Sequence, residues 1–252
     1  MAERVAIISD IHANLEALEA VFRDIDEGGI SEVWCLGDVV GYGVDAGACI
    51  DLVQRRCSVC LCGNHDWAVT NSVVGFNPMA RQAIERTRRR LKPGRLALPA
   101  TRRRWEFLRN LPHREERGQW LLVHGSPRDP VMEYIFPEDV DVDPDKLAEV
   151  FGLFEGVCFV GHTHLPGVFT DAMVFRSPGQ LGDILALEGA HAVVNVGSVG
   201  QPRDGDVRAC YVQVGEGQAV FRRVAYDLQK TVEKIRASRI DNVCAERLAL
   251  GK

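Results

Sequence analysis

No apolar run in this 252-residue chain approaches the roughly 18 residues that a membrane-spanning helix needs. The N-terminus also lacks the basic, apolar and small-residue succession of a secretory signal. A cytoplasmic protein with no membrane partner is therefore expected. Eight cysteines are present, yet no second Cys pair stands at zinc-finger spacing from the cluster Cys57, Cys60 and Cys62. Cys35, Cys60, Cys158 and Cys210 lie inside apolar runs, where a thiol packs as a small hydrophobe. Reduced thiols are expected rather than a disulfide framework. Beside the triplets Arg88 to Arg90 and Arg102 to Arg104 the only aromatics are Trp105 and Phe107. That is too few for a base-stacking surface, so nucleic acid is not an expected partner. Internal repeats and low-complexity segments are absent too.

What is present is ordinary in bulk and uneven in charge. The length can bury a full core, and residues 1–252 are read as a single domain. The formal net charge is −5, but Trp67 to Arg117 carries twelve Arg and one Lys against four Glu. That segment reads as a basic helical insert at about 67–117. It is either a solvated face or a region that steers an anionic substrate, and the second reading is preferred.

From the N-terminus the pattern alternates. Val5 to Ile8 reads as a buried strand, and apolar residues at Leu15, Leu18, Val21, Phe22 and Ile25 recur at helical spacing. Asn14 is the expected N-cap, with Gly28 and Gly29 as the stop. Val33 to Leu36 and Ser58 to Leu61 read as strands, with a helix over 46–55 between them. This β-α-β-α-β order implies an α/β fold whose largely parallel sheet carries its ligands at the strand C-termini. Helices are expected over 79–91, 102–108 and 144–155, and strands over 119–123 and 157–160. Beyond His164 short strands dominate, with a hairpin at 209–224, and a single closing helix is expected from Leu228 to about Leu248.

Five strand-end loops hold the chemistry: Asp10-Ile11-His12, Gly37-Asp38, Gly63-Asn64-His65-Asp66, His124-Gly125 and Gly161-His162-Thr163-His164. Five of the seven histidines fall in these loops, leaving His113 and His191 as surface or turn residues. Carboxylate, amide and imidazole donors gathered this way are the composition of a two-metal centre. In this order the set resembles the calcineurin-like metallophosphoesterase superfamily, and its wording is similar to a bacterial subgroup of small phosphodiesterase-like proteins.

The resemblance implies two stacked mixed β-sheets flanked by helices, in four layers. It implies a bridging Asp38 shared by two ions. Asp10, His12 and His164 would complete one site, and Asn64, His124 and His162 the other. His65 would be the catalytic residue that stabilises the transferring phosphoryl group and protonates the leaving oxygen, with Asp66 beside the ligands. The implied reaction is hydrolysis of a small phosphodiester, phosphomonoester or nucleotide by a metal-bound hydroxide. The nitrogen and oxygen donors, without thiolate, suit Mn²⁺, Fe or Zn²⁺ rather than Ca²⁺, with Mn²⁺ preferred.

Protein Ser/Thr phosphatases of that superfamily continue Gly-Asp with an Asp and an Arg, where this chain has Gly41 and Tyr42. The departure points away from a protein phosphatase and leaves open what orients His65. Arg128 and Arg203 are the candidates to bind substrate phosphate in place of the absent arginine. A non-catalytic metal-binding scaffold and a nuclease are the competing readings, and nothing in the sequence fixes the oligomeric state.

Overall fold

Strands covered on both faces are apolar at every position, because each successive side chain points to the opposite side. Val5–Ile8 and Val157–Val160 show this, buried at all four residues. The computed structural model describes residues 4–238 and 242–252. Within them the strands are β1 (Val5–Ile8), β2 (Glu32–Cys35), β3 (Val59–Cys60), β4 (Arg114–Arg117), β5 (Trp120–Val123), β6 (Val157–Val160), β7 (Gly167–Thr170), β8 (Val174–Arg176), β9 (Ile184–Ala186), β10 (Ala192–Asn195), β11 (Ala209–Gly215) and β12 (Gln218–Val224). They form two six-stranded mixed sheets, ordered β3-β2-β1-β11-β12-β9 and β4-β5-β6-β10-β7-β8. In the first, β1, β2 and β3 run parallel; in the second, β5, β6 and β10 do.

The helices are α1 (Leu15–Glu27), α2 (Ala46–Arg56), α3 (Asn64–Thr70), α4 (Pro78–Leu91), α5 (Pro99–Arg109), α6 (Asp139–Val142), α7 (Pro144–Phe151), α8 (Pro178–Leu181), α9 (Leu228–Ala237) and α10 (Asn242–Leu250). Alternation sorts the core into layers. Val5, Ile7, Trp34 and Leu36 meet Leu122, Val157, Phe159 and Val194 between the sheets. Their neighbours Ala6, Ile8, Val33 and Cys35 face α1, α2, α4 and α5. On the far side Val123, Cys158 and Val160 face Leu147, Val150 and Phe151 of α7. The result is the expected stacked pair of sheets flanked by helices. Each large side chain so buried contributes about 1.5–3 kcal/mol relative to exposure.

Three elements differ from expectation. The basic segment does not stay helical to Arg117, because Arg114–Arg117 pairs antiparallel with β5. Its helices are also not an appendage: Ile84, Leu91, Leu108 and Leu111 join the core that α1 and α2 share. The single closing helix is two: α9 ends at Ala237, where the Ser238 N–H returns to Lys234 and Ile235 carbonyls, and α10 packs back on α9. Residues 239–241 of that expected helix lie outside the described residues. Finally, α7 stops at Phe151, with Gly152 as its cap. None of the eight cysteines is held in a disulfide, and among the described residues no helix is long and apolar enough to cross a membrane.

The arginine triplets brace this helical layer. Arg88 donates to the Ala68, Val69 and Asn71 carbonyls at the end of α3, a favourable place for a cation. Arg104 donates through Nε to Asp51 of α2 at 2.9 Å, and Arg102 reaches the Gly94 and Arg95 carbonyls.

Candidate metal centre

The parallel strands of both sheets end on the same side, and the five strand-end loops converge there. The loop after β1 is knitted to the loop after β2 by Asp10 N–H to Gly37 O and His12 N–H to Asp38 O, at 3.0 and 2.9 Å. The second sheet is tied in by His162 N–H, which donates to Asp10 Oδ2 at 3.0 Å. The loop after β10 closes the frame: Ser198 Oγ donates to Asp10 O, and Asn195 Nδ2 to Gly161 O and Thr163 Oγ1. Asp10, His12, Asp38, His162 and His164 all have positive φ, between 47° and 69°. Left-handed backbone is uncommon outside glycine and costs energy that the surroundings must offset, which is why it collects at functional sites.

Each of the four candidate ligand histidines is oriented through the ring nitrogen that faces away from the cluster. His12 Nδ1 donates to Val40 O, His124 Nδ1 to Leu36 O, His164 Nδ1 to Gln201 O and His162 Nε2 to Met132 O, at 2.6–3.3 Å. Such partners fix the tautomer and aim the opposite lone pair. The aimed nitrogens meet in pairs: His12 Nε2 and His164 Nε2 are 3.0 Å apart, and His124 Nε2 and His162 Nδ1 are 3.1 Å apart. Asp38 Oδ2 lies between the pairs, 3.5 Å from His12 Nε2 and 3.7 Å from His124 Nε2. Asp10 Oδ1 is 3.2 Å from His164 Nε2. Three trios each bring one donor atom within 4.8 Å of one another: Asp10, His12 and His164; His12, Asp38 and His65; Asp10, Asp38 and His124.

The donor set fits cations on three counts. Facing lone pairs repel unless something positive stands between them. Asp10 Oδ1 and Asn64 Oδ1 are buried with no hydrogen-bond partner among the described residues, which is costly for an acceptor unless a cation answers it. Asp10 and Asp38 are also almost wholly buried. Burial holds the imidazoles neutral, with His164 down to about 4 and His65 to about 3, so their lone pairs are free. Burial, then the Asp66 and Asp10 charges, push the Asp38 carboxyl well above its usual range. Ions bound here would be held by Asp10, His12, His164 and Asp38 on one side and Asn64, His124, His162 and Asp38 on the other.

His65 lies in the first turn of α3, and its backbone N–H donates to Asp38 Oδ1 at 2.8 Å. Its ring is placed by other rings rather than by a carboxylate: Tyr42 at 4.7 Å, His12 at 4.9 Å and Phe76 at 5.5 Å between centroids. That answers what the Gly41 and Tyr42 departure left open. Gly41 has φ of 146°, and a Cβ there would collide with His12 Nδ1 and stand 2.9 Å from His65 Nδ1. No larger residue fits between the two rings. Asp66 does not reach His65; its carboxylate receives the Val39, Val40 and Gly63 N–H groups and so fixes the Asp38 loop.

The two candidate arginines part company. Arg203 stands at the site, with its guanidinium 5.8 Å from the Tyr42 ring centroid and donating to Gln201 Oε1 at 2.8 Å, while its buried Nε has no partner among the described residues. Arg128 instead pairs with Glu149 at 2.6 Å and Glu133 at 3.3 Å. Among the described residues no contact joins it to the cluster. Tyr134, Asn195 and Ser198 are the site residues that sequence reasoning did not single out individually. Lone aromatics and loop polar residues carry no spacing signal that marks them.

Comparison with known proteins agrees with this geometry. Residues 4–217 match the calcineurin-like phosphoesterase superfamily domain. The uncharacterized protein MJ0912 of Methanocaldococcus jannaschii is 36% identical over 261 aligned positions, covering 98% of each chain. The crystal structure of a metallophosphoesterase from Sphaerobacter thermophilus is 36% identical, covers 100% of both chains and superposes with a TM-score of 0.85. The hypothetical protein PH1004 from Pyrococcus horikoshii, 19% identical, shares the fold over 99% of this chain and 98% of its own, with a TM-score of 0.75.

Proposed function

The chain belongs to the calcineurin-like phosphoesterase superfamily, and on that footing we propose that it is a cytoplasmic hydrolase of small phosphate esters dependent on two divalent metals. The observation that carries this is Asp38 standing between two facing histidine pairs, beside the unpartnered oxygen of Asp10. Bound there, two ions, preferably Mn²⁺, would activate water and neutralise phosphoryl oxygens. The chain's own residues do the rest. Asp10, Asn64 and the four ligand histidines fix position, and the outward N–H bonds keep every ring from turning. His65, held among Tyr42, His12 and Phe76, offers its ring N–H as a hydrogen bond where charge develops on the phosphoryl and departing oxygens. Arg203 offers its guanidinium to the substrate phosphate. Eight cysteines without a disulfide are in keeping with a reducing compartment.

The test is hydrolysis of a chromogenic phosphodiester and the matching monoester by metal-stripped protein, with and without Mn²⁺. Metal-dependent turnover supports the reading, and the diester-to-monoester ratio sets the substrate class. A chain that binds two ions yet turns over neither ester would instead be a very selective enzyme or the scaffold.

The basic segment is proposed to steer that anionic substrate. Because Arg88, Arg102 and Arg104 brace the fold, the exposed Arg81, Arg95 and Arg109 are the residues to reverse. Converting all three to Glu is expected to lower kcat/KM severalfold at low ionic strength and to flatten its salt dependence. An unchanged salt profile would make the segment a solvated face.

A further inference from the structure

Two exposed aromatic rings stand beside the cluster and take no part in the chemistry above. The Tyr134 ring lies on the ring of the candidate ligand His162, 3.6 Å between centroids and 17° from parallel. Phe136 stacks in turn on Tyr134, at 5.1 Å and 8°. Tyr134 is 38% and Phe136 41% exposed, whereas most large apolar side chains of this chain are buried. Parallel rings left open to water next to a buried polar cluster are a surface for another flat ring.

The segment that carries them is built to hold them there. Met132 O receives His162 Nε2–H, and the Gly125 and His124 N–H groups both donate to Pro130 O. Glu133 accepts from Ser126 Oγ and pairs with Arg128. Phe136 N–H donates to Asp139 Oδ2 at 2.8 Å, and Asp139 is itself held by Lys146 at 2.6 Å. Arg128 thus acts on the ring-bearing segment rather than on phosphate. The segment is thus tied at both ends.

We propose that Tyr134 and Phe136 form a stacking platform for the heterocyclic base of a nucleotide-type ester, whose phosphate is taken by the metal cluster and Arg203. The proposal rests on the phosphoesterase reading and names its substrate class. The occupant follows from juxtaposition: a π-surface adjoins a candidate metal-ligating cluster, so one molecule satisfies both if it joins a flat ring to a phosphate. Stacking on an aromatic face tolerates any base, so the platform selects the class and not the base.

The test compares Mn²⁺-loaded wild type, Phe136→Ala and Phe136→Trp on two esters that share a leaving group. These are the p-nitrophenyl esters of thymidine 5′-phosphate and of methyl phosphate. The wild type is expected to favour the thymidine ester in kcat/KM, mainly through KM. Phe136→Ala should cut that preference about tenfold, the scale of one base-stacking contact, and Phe136→Trp should restore it. The same ratio in all three proteins would overturn the platform while leaving the phosphoesterase reading intact. If neither ester is turned over, that reading fails separately, and the platform is judged by binding of 1,N6-etheno-AMP. Fluorescence quenching by wild type that is lost in Phe136→Ala supports it; no quenching, or quenching undiminished in the variant, overturns it.

Discussion

His65→Ala is expected to lower metal-dependent turnover by about 10²–10⁴-fold, the usual contribution of a positioned proton donor or acceptor, while leaving both ions in place. The separation of the two effects is what makes this variant informative. His65 is buried, its ring contacts are aromatic, and its Nδ1 has no hydrogen-bond partner among the described residues. None of the histidine pairings that define the two sites includes it. It nevertheless falls within 4.8 Å of donor atoms from His12 and Asp38. Kinetics with metal analysis on the same sample therefore decide its role. Lost activity with two ions retained makes His65 the group that acts on the ester. Loss of an ion along with activity would make it a ligand.

Asp38→Asn is expected to reduce bound metal below two ions per chain and to lower activity at least about a thousandfold, since metal stabilisation of the transition state is worth several kcal/mol. An amide has one good donor oxygen and no charge, so it bridges poorly. The same substitution should raise the thermal stability of the metal-stripped protein. In the wild type Asp10, Asp38 and Asp66 are buried together, and burial with the neighbouring charges raises the Asp38 pKa well above normal. A group whose folded pKa is raised favours folding when protonated. Its contribution is full below the unfolded carboxylate range and is lost as pH rises through the folded value. At pH 8 the stripped wild type thus bears the cost of burying an ionisable carboxyl, which the Asp38→Asn variant lacks, and at pH 3 the difference should vanish. Calorimetry of both stripped proteins at the two pH values measures it. A variant less stable than wild type at pH 8 would show that the Asp38 carboxylate is a structural anchor in its own right. Sites held ready for an ion commonly carry such a cost to stability.

How far the sequence reveals this site depends on how many residues share each signal. Asp10, His12, Asp38, Asn64, His124, His162 and His164 are legible because each follows an apolar run in a fixed order, and parallel strands carry all such loops to one side. Asn14 is legible as a cap, and its side chain does accept from Ala17 N–H. The short helix at Asn64–Thr70 is not, since its first turn reads as a loop; its one local cue is Asp66 accepting from Gly63 N–H. Arg114–Arg117 has no apolar residue, so only its partner β5 makes it a strand. No Gly or Pro marks the end of α9, and α9 and α10 share one apolar cluster with Tyr42 and Ala83. Arg128 and Arg203 look alike as arginines in loops after strands. Glu133 and Glu149, distant from Arg203 in sequence, separate them.

The number of ions the chain holds bears most directly on the metal centre. Elemental analysis of protein stripped with chelator, reloaded with Mn²⁺ and freed of excess metal gives that number in one measurement. Two manganese ions per chain in the wild type are predicted, falling below two in Asp38→Asn. A wild-type chain that retains none, or an Asp38→Asn chain that still retains two, would contradict a centre built on Asp38 and its flanking histidine pairs.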